Sequence, residues 1–202
     1  LHGSHRIARV RAVEGGDNAR RRRGSYAGSA RLGRGRAGGA AWLRLAWAGR
    51  ERLGPRDRAL LDATAGPNYP SASSYLDVLK AKQHYVEIAP DRADAWFELG
   101  DGMFHFGAVV GYLDADARAA DAFKRALTLD SSYAPAAEHL LLIEAHDGDT
   151  MVVRQLGHHF LSIDPASENA DGVRWRMAVA LGDSASLADI TRRRDTLTPI
   201  SA

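Results

Sequence analysis

Residues 94–100, DAWFELG, and residues 119–126, AADAFKRA, decide the fold of this chain. Their large and small apolar residues recur at the three- and four-residue spacing of helices. Two helices are therefore predicted, with glycine and alanine where the backbones approach and larger side chains filling the space between them. The residues that carry this pattern are Trp96, Leu99, Gly100, Ala119, Phe123 and Ala126.

A thirty-four-residue step runs through the rest of the chain. Asp164-Pro165 ends one predicted helix, and similar stops stand thirty-four residues earlier at Asp130-Ser131 and thirty-four later at Thr198-Pro199. The turns Gly148-Asp149 and Gly182-Asp183 are separated by the same step. Because one helical pair cannot bury its apolar face alone, a fixed period of this length predicts stacked pairs that share a continuous core.

One unit of the repeat is too long. Ala89-Pro90 precedes Ser131 by forty-one residues instead of thirty-four. The seven extra residues are expected between the two helices of this unit, at residues 107–113.

These motifs resemble those of the tetratricopeptide repeat (TPR) family, whose first helix carries Trp-x-x-Leu-Gly, here Trp96, Leu99 and Gly100. The resemblance implies an all-α fold, a right-handed superhelical array of antiparallel helix pairs, or TPR-like α-solenoid. The residues assigned to the structural repeat signature are Trp96, Leu99, Gly100, Ala119, Phe123, Ala126, Gly148, Pro165, Gly182 and Pro199.

Residues 1–40 differ in composition from the rest and are expected to form a disordered or poorly ordered basic segment, because they contain few aliphatic side chains. Residues 41–202 are expected to form the TPR-like helical repeat domain. Its helices are predicted at about 41–52, 55–65, 73–89, 91–110, 115–129, 134–146, 150–163, 169–181 and 184–197.

The small net charge of +2 conceals a strong asymmetry. Residues 1–50 contain twelve Arg and two acidic residues, which gives +10, and the remainder gives −8. Three interpretations of residues 1–40 remain open: a tail that binds nucleic acid through phosphate contacts, a linker, or a translation of GC-rich DNA in a wrong frame. Nucleic acid is a possible partner through this segment alone.

Motifs for catalysis, cofactors and metals are missing from the sequence. It has no Gly-x-Ser-x-Gly, no His-Glu-x-x-His, no glycine-rich phosphate loop and no kinase catalytic loop. It has no cysteine, which excludes thiolate metal sites. We therefore predict that the chain is not an enzyme and has no catalytic, cofactor-binding or metal-binding residues.

The strings at 89–107, 122–127 and 133–140 are similar to the C-terminal TPR regions of bacterial multidomain signalling proteins with a kinase or transcriptional activator domain. This resemblance implies a scaffold or sensor array that binds a protein or peptide through a concave groove lined by first helices. A basic or apolar partner is favoured over an acidic C-terminal peptide, since no Lys/Asn/Arg cluster is present to hold a carboxylate. The predicted groove residues are Phe97, Asp101, Phe104, His105, Glu138, Leu142, His146 and Arg176.

The absence of a long uncharged apolar run predicts no membrane span, and a cytoplasmic location is expected. The first residue is Leu1 instead of methionine, so a fragment of a larger regulatory protein or a processed chain is expected.

Overall fold

The computed structural model describes residues 36–167 and 169–195. The chain divides into two compact units, Leu1–Arg52 and Leu53–Ala202. Residues 41–52, which the sequence analysis joined to the repeat domain, belong instead to the first unit. Most of the predicted basic segment and the repeat landmark Pro199 lie outside the described residues.

In the first unit, helix α1 spans Arg36–Ala48 and a short 3₁₀ helix spans Arg50–Arg52. The helix therefore begins five residues before the predicted start, and it ends four residues before the predicted end. The guanidinium of Arg50 lies 4.5 Å from the ring centroid of Trp47, a cation–π contact.

The described part of the chain is all-helical, with no strand. The second unit contains eight of its helices, and all but the third of these lie close to the predicted positions. They are α2 (Pro55–Ala65), α3 (Tyr75–Ile88), α4 (Ala93–Gly102), α5 (Ala115–Leu129), α6 (Ala134–Asp147), α7 (Thr150–Ile163), α8 (Ala170–Ala180) and α9 (Ser184–Asp195).

The helices of the second unit pack in sequence order. Each contacts the next along the chain, and α2 contacts α4, α4 contacts α6, and α6 contacts α8. Three apolar clusters follow one another: the first joins α2, α3 and α4, the second centres on α4, α5 and α6, and the third lies among α6, α7 and α8. Helices α2, α4, α6 and α8, each the first of a consecutive helical pair, therefore contact one another in order, and the apolar clusters beneath them follow the chain.

Gly100, Phe123 and Trp96 of the sequence motifs lie at or beside the contact between α4 and α5. A Cβ atom on Gly100 would lie 2.6 Å from a ring carbon of Phe123, so glycine is required for α4 and α5 to approach this closely. Phe123 itself is fully buried. The indole of Trp96 is half-buried beside the same core and donates a hydrogen bond to the Pro90 carbonyl, 2.9 Å away.

The two predicted Gly-Asp turns form a similar structure. Gly148 and Gly182 both have positive φ, 84° and 66°, a conformation that glycine adopts readily at helix C-termini. Asp149 then accepts hydrogen bonds from two backbone N–H groups of α7. Asp183 accepts one from the N–H of Ser186 at the start of α9. The thirty-four-residue step in sequence is thus a repeated local structure.

The predicted helix 91–110 is wrong in its details. The α-helix ends at Gly102 and continues as a π-helical turn, Met103–Gly107, followed by turn residues 108–111. Extra residues within a helix are commonly accommodated as a π-bulge. The predicted insertion at 107–113 therefore begins at the end of this π turn and continues through the following loop.

Candidate functional site

A buried carboxylate and an imidazole lie at the junction of α4 and the π turn. Asp101 is 3% exposed, and His105, four residues later, reaches back so that its Nε2 lies 3.4 Å from Asp101 Oδ1. The side chain of His105 is 12% exposed. Asp101 thus lies in the last turn of α4, and His105 lies in the π turn that follows it.

Helix α3 supplies the opposite charge. Lys82 is 4% exposed, and its ammonium forms a salt bridge with Glu98 and lies 3.5 Å from Asp101 Oδ2. A buried charge is costly unless it is paired. The group Lys82, Glu98 and Asp101 satisfies this requirement, since both carboxylates face the one ammonium.

A second imidazole arrives from α6. His139 Nε2 lies 3.8 Å from Asp101 Oδ1, the same oxygen that faces His105. The other ring nitrogen, Nδ1, is 2.9 Å from the carbonyl oxygen of Pro135. A carbonyl can only accept, so Nδ1 carries the hydrogen and Nε2 of a neutral ring keeps its lone pair for the side that faces Asp101.

Aromatic rings surround the two histidines. The centroid of the His139 ring lies 5.3–5.8 Å from those of Phe97, Phe104 and Phe123, and the His105 ring lies edge-on to Phe104 at 5.1 Å. These rings exclude water from one side of the cluster and strengthen the electrostatic interactions within it.

The surroundings of Asp101 keep it ionised. Burial opposes the charged form, but the neighbouring His105, together with the charge of Lys82, outweighs burial and holds the pKa of Asp101 below its usual value. Asp101 is thus a charged acceptor at the centre of the cluster.

Three side chains here could hold a metal ion. Within the described part of the chain, Asp101, His105 and His139 each offer a ligand atom, and these atoms all lie within 4.8 Å of one another. No metal-binding residues were expected from the sequence, in which nothing indicates that α6 brings a second imidazole to this place.

The predicted groove residues fall into two groups. Phe97, Phe104 and His105 are half-buried and pack around His139. Asp101 belongs to this group but is only 3% exposed, because the surrounding side chains cover it.

The second group lies along α6 and α8. Glu138 lies 3.6 Å from Arg176 Nη1 and accepts a hydrogen bond from the Asn169 amide at 2.9 Å. Leu142 is half-buried, and His146 is exposed at the end of α6. An ion pair therefore links two first helices at predicted groove positions.

Two residues of the cluster were missing from the predicted site. His139 was passed over because the projected spacing selected its neighbour Glu138. Lys82 stands three residues after Leu79 and three before Tyr85, on the apolar stripe of α3. A lysine in a buried stripe signals a buried partner, and this signal was available in the sequence.

No protein-family model matches the chain, and no curated protein matches it. Over the residues that the structure describes, every helix is too short or too polar to cross a lipid bilayer.

Proposed function

We propose that residues 53–202 form a TPR-like repeat array that binds a protein or peptide partner along its first helices, within a larger bacterial regulatory protein. The observation that carries this proposal is the side-by-side contact of α2, α4, α6 and α8, each joined to a following second helix. Such stacking of first helices gives repeat proteins an extended binding surface.

The charge of the array favours a basic or apolar partner. Residues 51–202 carry a formal charge of −8. A helix or extended peptide with basic and apolar side chains would complement this surface, since opposite potentials steer association and discriminate between partners. Leu142 offers an apolar contact on α6, and a basic side chain of the partner would compete with Arg176 for Glu138 on the same helix.

Fluorescence anisotropy with labelled peptides tests this proposal. A basic amphipathic peptide is expected to bind more tightly than an acidic peptide with a free C-terminal carboxylate. Substitution of both Glu138→Lys and Leu142→Lys should weaken binding of the basic peptide at least tenfold, and Asp121→Lys on the exposed side of α5 should leave it unchanged.

Equal binding of both peptides, or equal effects of the α6 and α5 substitutions, would contradict the assignment of this surface. Circular dichroism of each variant separates loss of binding from loss of helix. Asp101→Lys is avoided because its effect on the buried cluster would obscure any effect on a partner.

A second candidate function, nucleic-acid association, is favoured by the twelve arginines among residues 1–50. Binding of DNA should weaken steeply as salt rises, because phosphate contacts release counterions. It should disappear when residues 1–40 are deleted. Absence of binding by the whole chain at low salt would end this hypothesis.

A further inference from the structure

We propose that Asp101, His105 and His139 form a binding site for one divalent transition-metal ion of the zinc class. The site lies where α4, the π turn and α6 meet, and it is independent of whether the array binds a partner.

The distances between the ligand atoms are close to those that a shared ion requires. The nitrogen–oxygen separations of 3.4 Å and 3.8 Å are longer than the usual 2.7–3.2 Å of an N–H···O hydrogen bond. Two ligands with bonds of about 2.0–2.2 Å to a tetrahedral zinc ion lie about 3.3–3.6 Å apart. The two nitrogen–oxygen separations are therefore near those of a shared ion, and the two imidazoles, whose ligand atoms lie within 4.8 Å of each other, would have to approach for all three atoms to bind it.

The orientation of Asp101 fits the same arrangement. Both histidines face Oδ1, whereas Oδ2 faces the Lys82 ammonium. One oxygen is thus left to the ion and the other is fixed by a neighbouring group, as is common for carboxylates that bind metals. Glu98 neutralises Lys82, which reduces the repulsion between the ammonium and a bound cation.

The orientation of His139 supports the proposal independently. Its Nδ1–H donates to the Pro135 carbonyl, which fixes the tautomer that leaves Nε2 free to bind a metal. A hydrogen bond from the distal ring nitrogen to a carbonyl is a frequent partner of metal-bound histidine. The apolar rings around the cluster would further strengthen the bonds by excluding water.

The ligand set points to a chemical class of ion. Two imidazoles and one carboxylate suit zinc, iron(II) or cobalt(II) better than magnesium or calcium, which prefer oxygen ligands. The histidine side chains are 12% and 19% exposed, so an ion can reach the site from solvent. Three protein ligands leave a fourth position for water or an incoming group.

Calorimetric titration of the chelator-treated chain with Zn²⁺ is the direct test. One saturable site per chain is expected, and one equivalent of Zn²⁺ should raise the melting temperature because the ion binds only the folded state. His105→Gln and His139→Gln should each weaken binding at least tenfold, and the double variant should abolish the site.

His146→Gln is the matched control, since this exposed histidine stands on α6 seven residues after His139. It should retain the site. Co²⁺ provides an independent readout: the intense visible absorption of four-coordinate cobalt is expected for the wild type and for His146→Gln, and not for the double variant.

Either of two outcomes would overturn the proposal: no saturable Zn²⁺ binding by the wild type, or a site that survives the double substitution. The second result would assign binding to surface histidines. If one glutamine variant loses its helical circular dichroism, the other variant and Asp101→Asn provide the same comparison.

Discussion

Two contacts between consecutive helical pairs have similar packing, but one is made by a charged side chain and the other by an apolar one. At the first, which we call the charged joint, Lys82 of α3 lies against Gly102 of α4, where an added Cβ would be 2.6 Å from the lysine Cδ. At the second, the apolar joint, Met177 of α8 lies against Gly157 of α7. Each joint therefore packs one long, unbranched side chain against one glycine.

The difference lies at the end of the long side chain. Lys82 ends in an ammonium held by Glu98 and Asp101, whereas Met177 ends in a thioether within an apolar cluster. Close contact between consecutive helical pairs therefore depends on a glycine in one helix and on the length of the side chain that faces it. The terminal group then determines whether the joint is rigidly held and how it responds to charge.

Replacing Lys82 with Met gives the charged joint the side chain of the apolar joint and is expected to have the largest effect. The substitution removes the ammonium that faces two carboxylates, of which Asp101 is buried. Breaking a buried ion pair on one side costs about 3–5 kcal/mol. The free energy of unfolding, measured with urea in the presence of a chelator, should fall by this amount.

Lys124→Met is the control for that experiment. Lys124 lies 3.4 Å from Glu144 but is 56% exposed, and surface pairs of this kind contribute about 0–1 kcal/mol. If Lys82→Met were no more harmful than Lys124→Met, the two histidines alone would suffice to stabilise Asp101, and the joint would not depend on its ammonium.

Adding a methyl group at each glycine compares how far the opposing side chains can move. Gly102→Ala should lower the free energy of unfolding by about 1–3 kcal/mol, the usual cost of overpacking, because Lys82 is held at its charged end. Gly157→Ala should cost less, because the Met177 thioether is flexible; the preference of a helix for alanine over glycine, about 1 kcal/mol, applies to both substitutions.

Urea unfolding of both variants measures this difference. A larger loss for Gly157→Ala would show that the initial overlap decides the outcome, since the added Cβ meets Met177 even more closely than it meets Lys82. The double variant Gly102→Ala/Lys82→Met distinguishes these possibilities further, because the alanine should cost less once the ammonium no longer holds the long side chain.

The sequence predicted the helices better than it predicted either joint. Helix positions and the Gly148 and Gly182 turns depend on local spacing and capping, which a sequence displays directly. The metal-ligand cluster depends on contacts between distant residues, such as Asp101 with Lys82 and with His139. The backbone after Gly102 is π-helical, a geometry that ordinary α-helical spacing in the sequence does not predict.

The charged joint extends toward a second polar contact whose pH dependence can be measured. The Tyr85 hydroxyl of α3 donates a hydrogen bond to Asp94 of α4, 3.0 Å away, and Arg92 also donates to Asp94. Burial and the adjacent carboxylate raise the pKa of Tyr85. Burial opposes ionisation of Asp94, but hydrogen bonds from Arg92 and Tyr85 outweigh it and lower the pKa of Asp94.

Tyr85→Phe should therefore lower the free energy of unfolding by about 1 kcal/mol near neutral pH, the usual net value of one hydrogen bond. The raised pKa of Tyr85 gives stability that is present below about pH 10 and is lost as the pH rises above it. The lowered pKa of Asp94 gives stability that is present above about pH 4 and is lost as the pH falls.

Urea unfolding across this pH range measures both changes. The alkaline loss should be smaller in Tyr85→Phe than in the wild type, and Tyr75→Phe, on the half-exposed first turn of the same helix, should behave like the wild type. An unchanged alkaline slope in Tyr85→Phe would contradict the assigned role of this hydroxyl.

Removing the N-cap of α3 in the charged joint and of α7 in the apolar joint should lower the free energy of unfolding by similar amounts. This is the smallest difference that we expect between the two joints. Ser74 caps α3 by accepting a hydrogen bond from the Asp77 N–H at 3.1 Å, and Asp149 caps α7 by accepting from the N–H groups of Met151 and Val152. Ser74→Ala and Asp149→Ala should each cost about 1 kcal/mol in urea unfolding, the usual value of an N-cap.

Asp147→Ala, at the end of α6, is the matched control and should change the free energy of unfolding by less than about 0.5 kcal/mol. Equal losses at Ser74 and Asp149 would show that α3 and α7 depend on their first turns to the same extent, whatever group lies at the joint. A much larger loss at Ser74 would instead mean that the ion pairs of Lys82 with Glu98 and Asp101 require a precisely placed α3. The charged joint would then depend on its helix end, whereas the apolar joint would not.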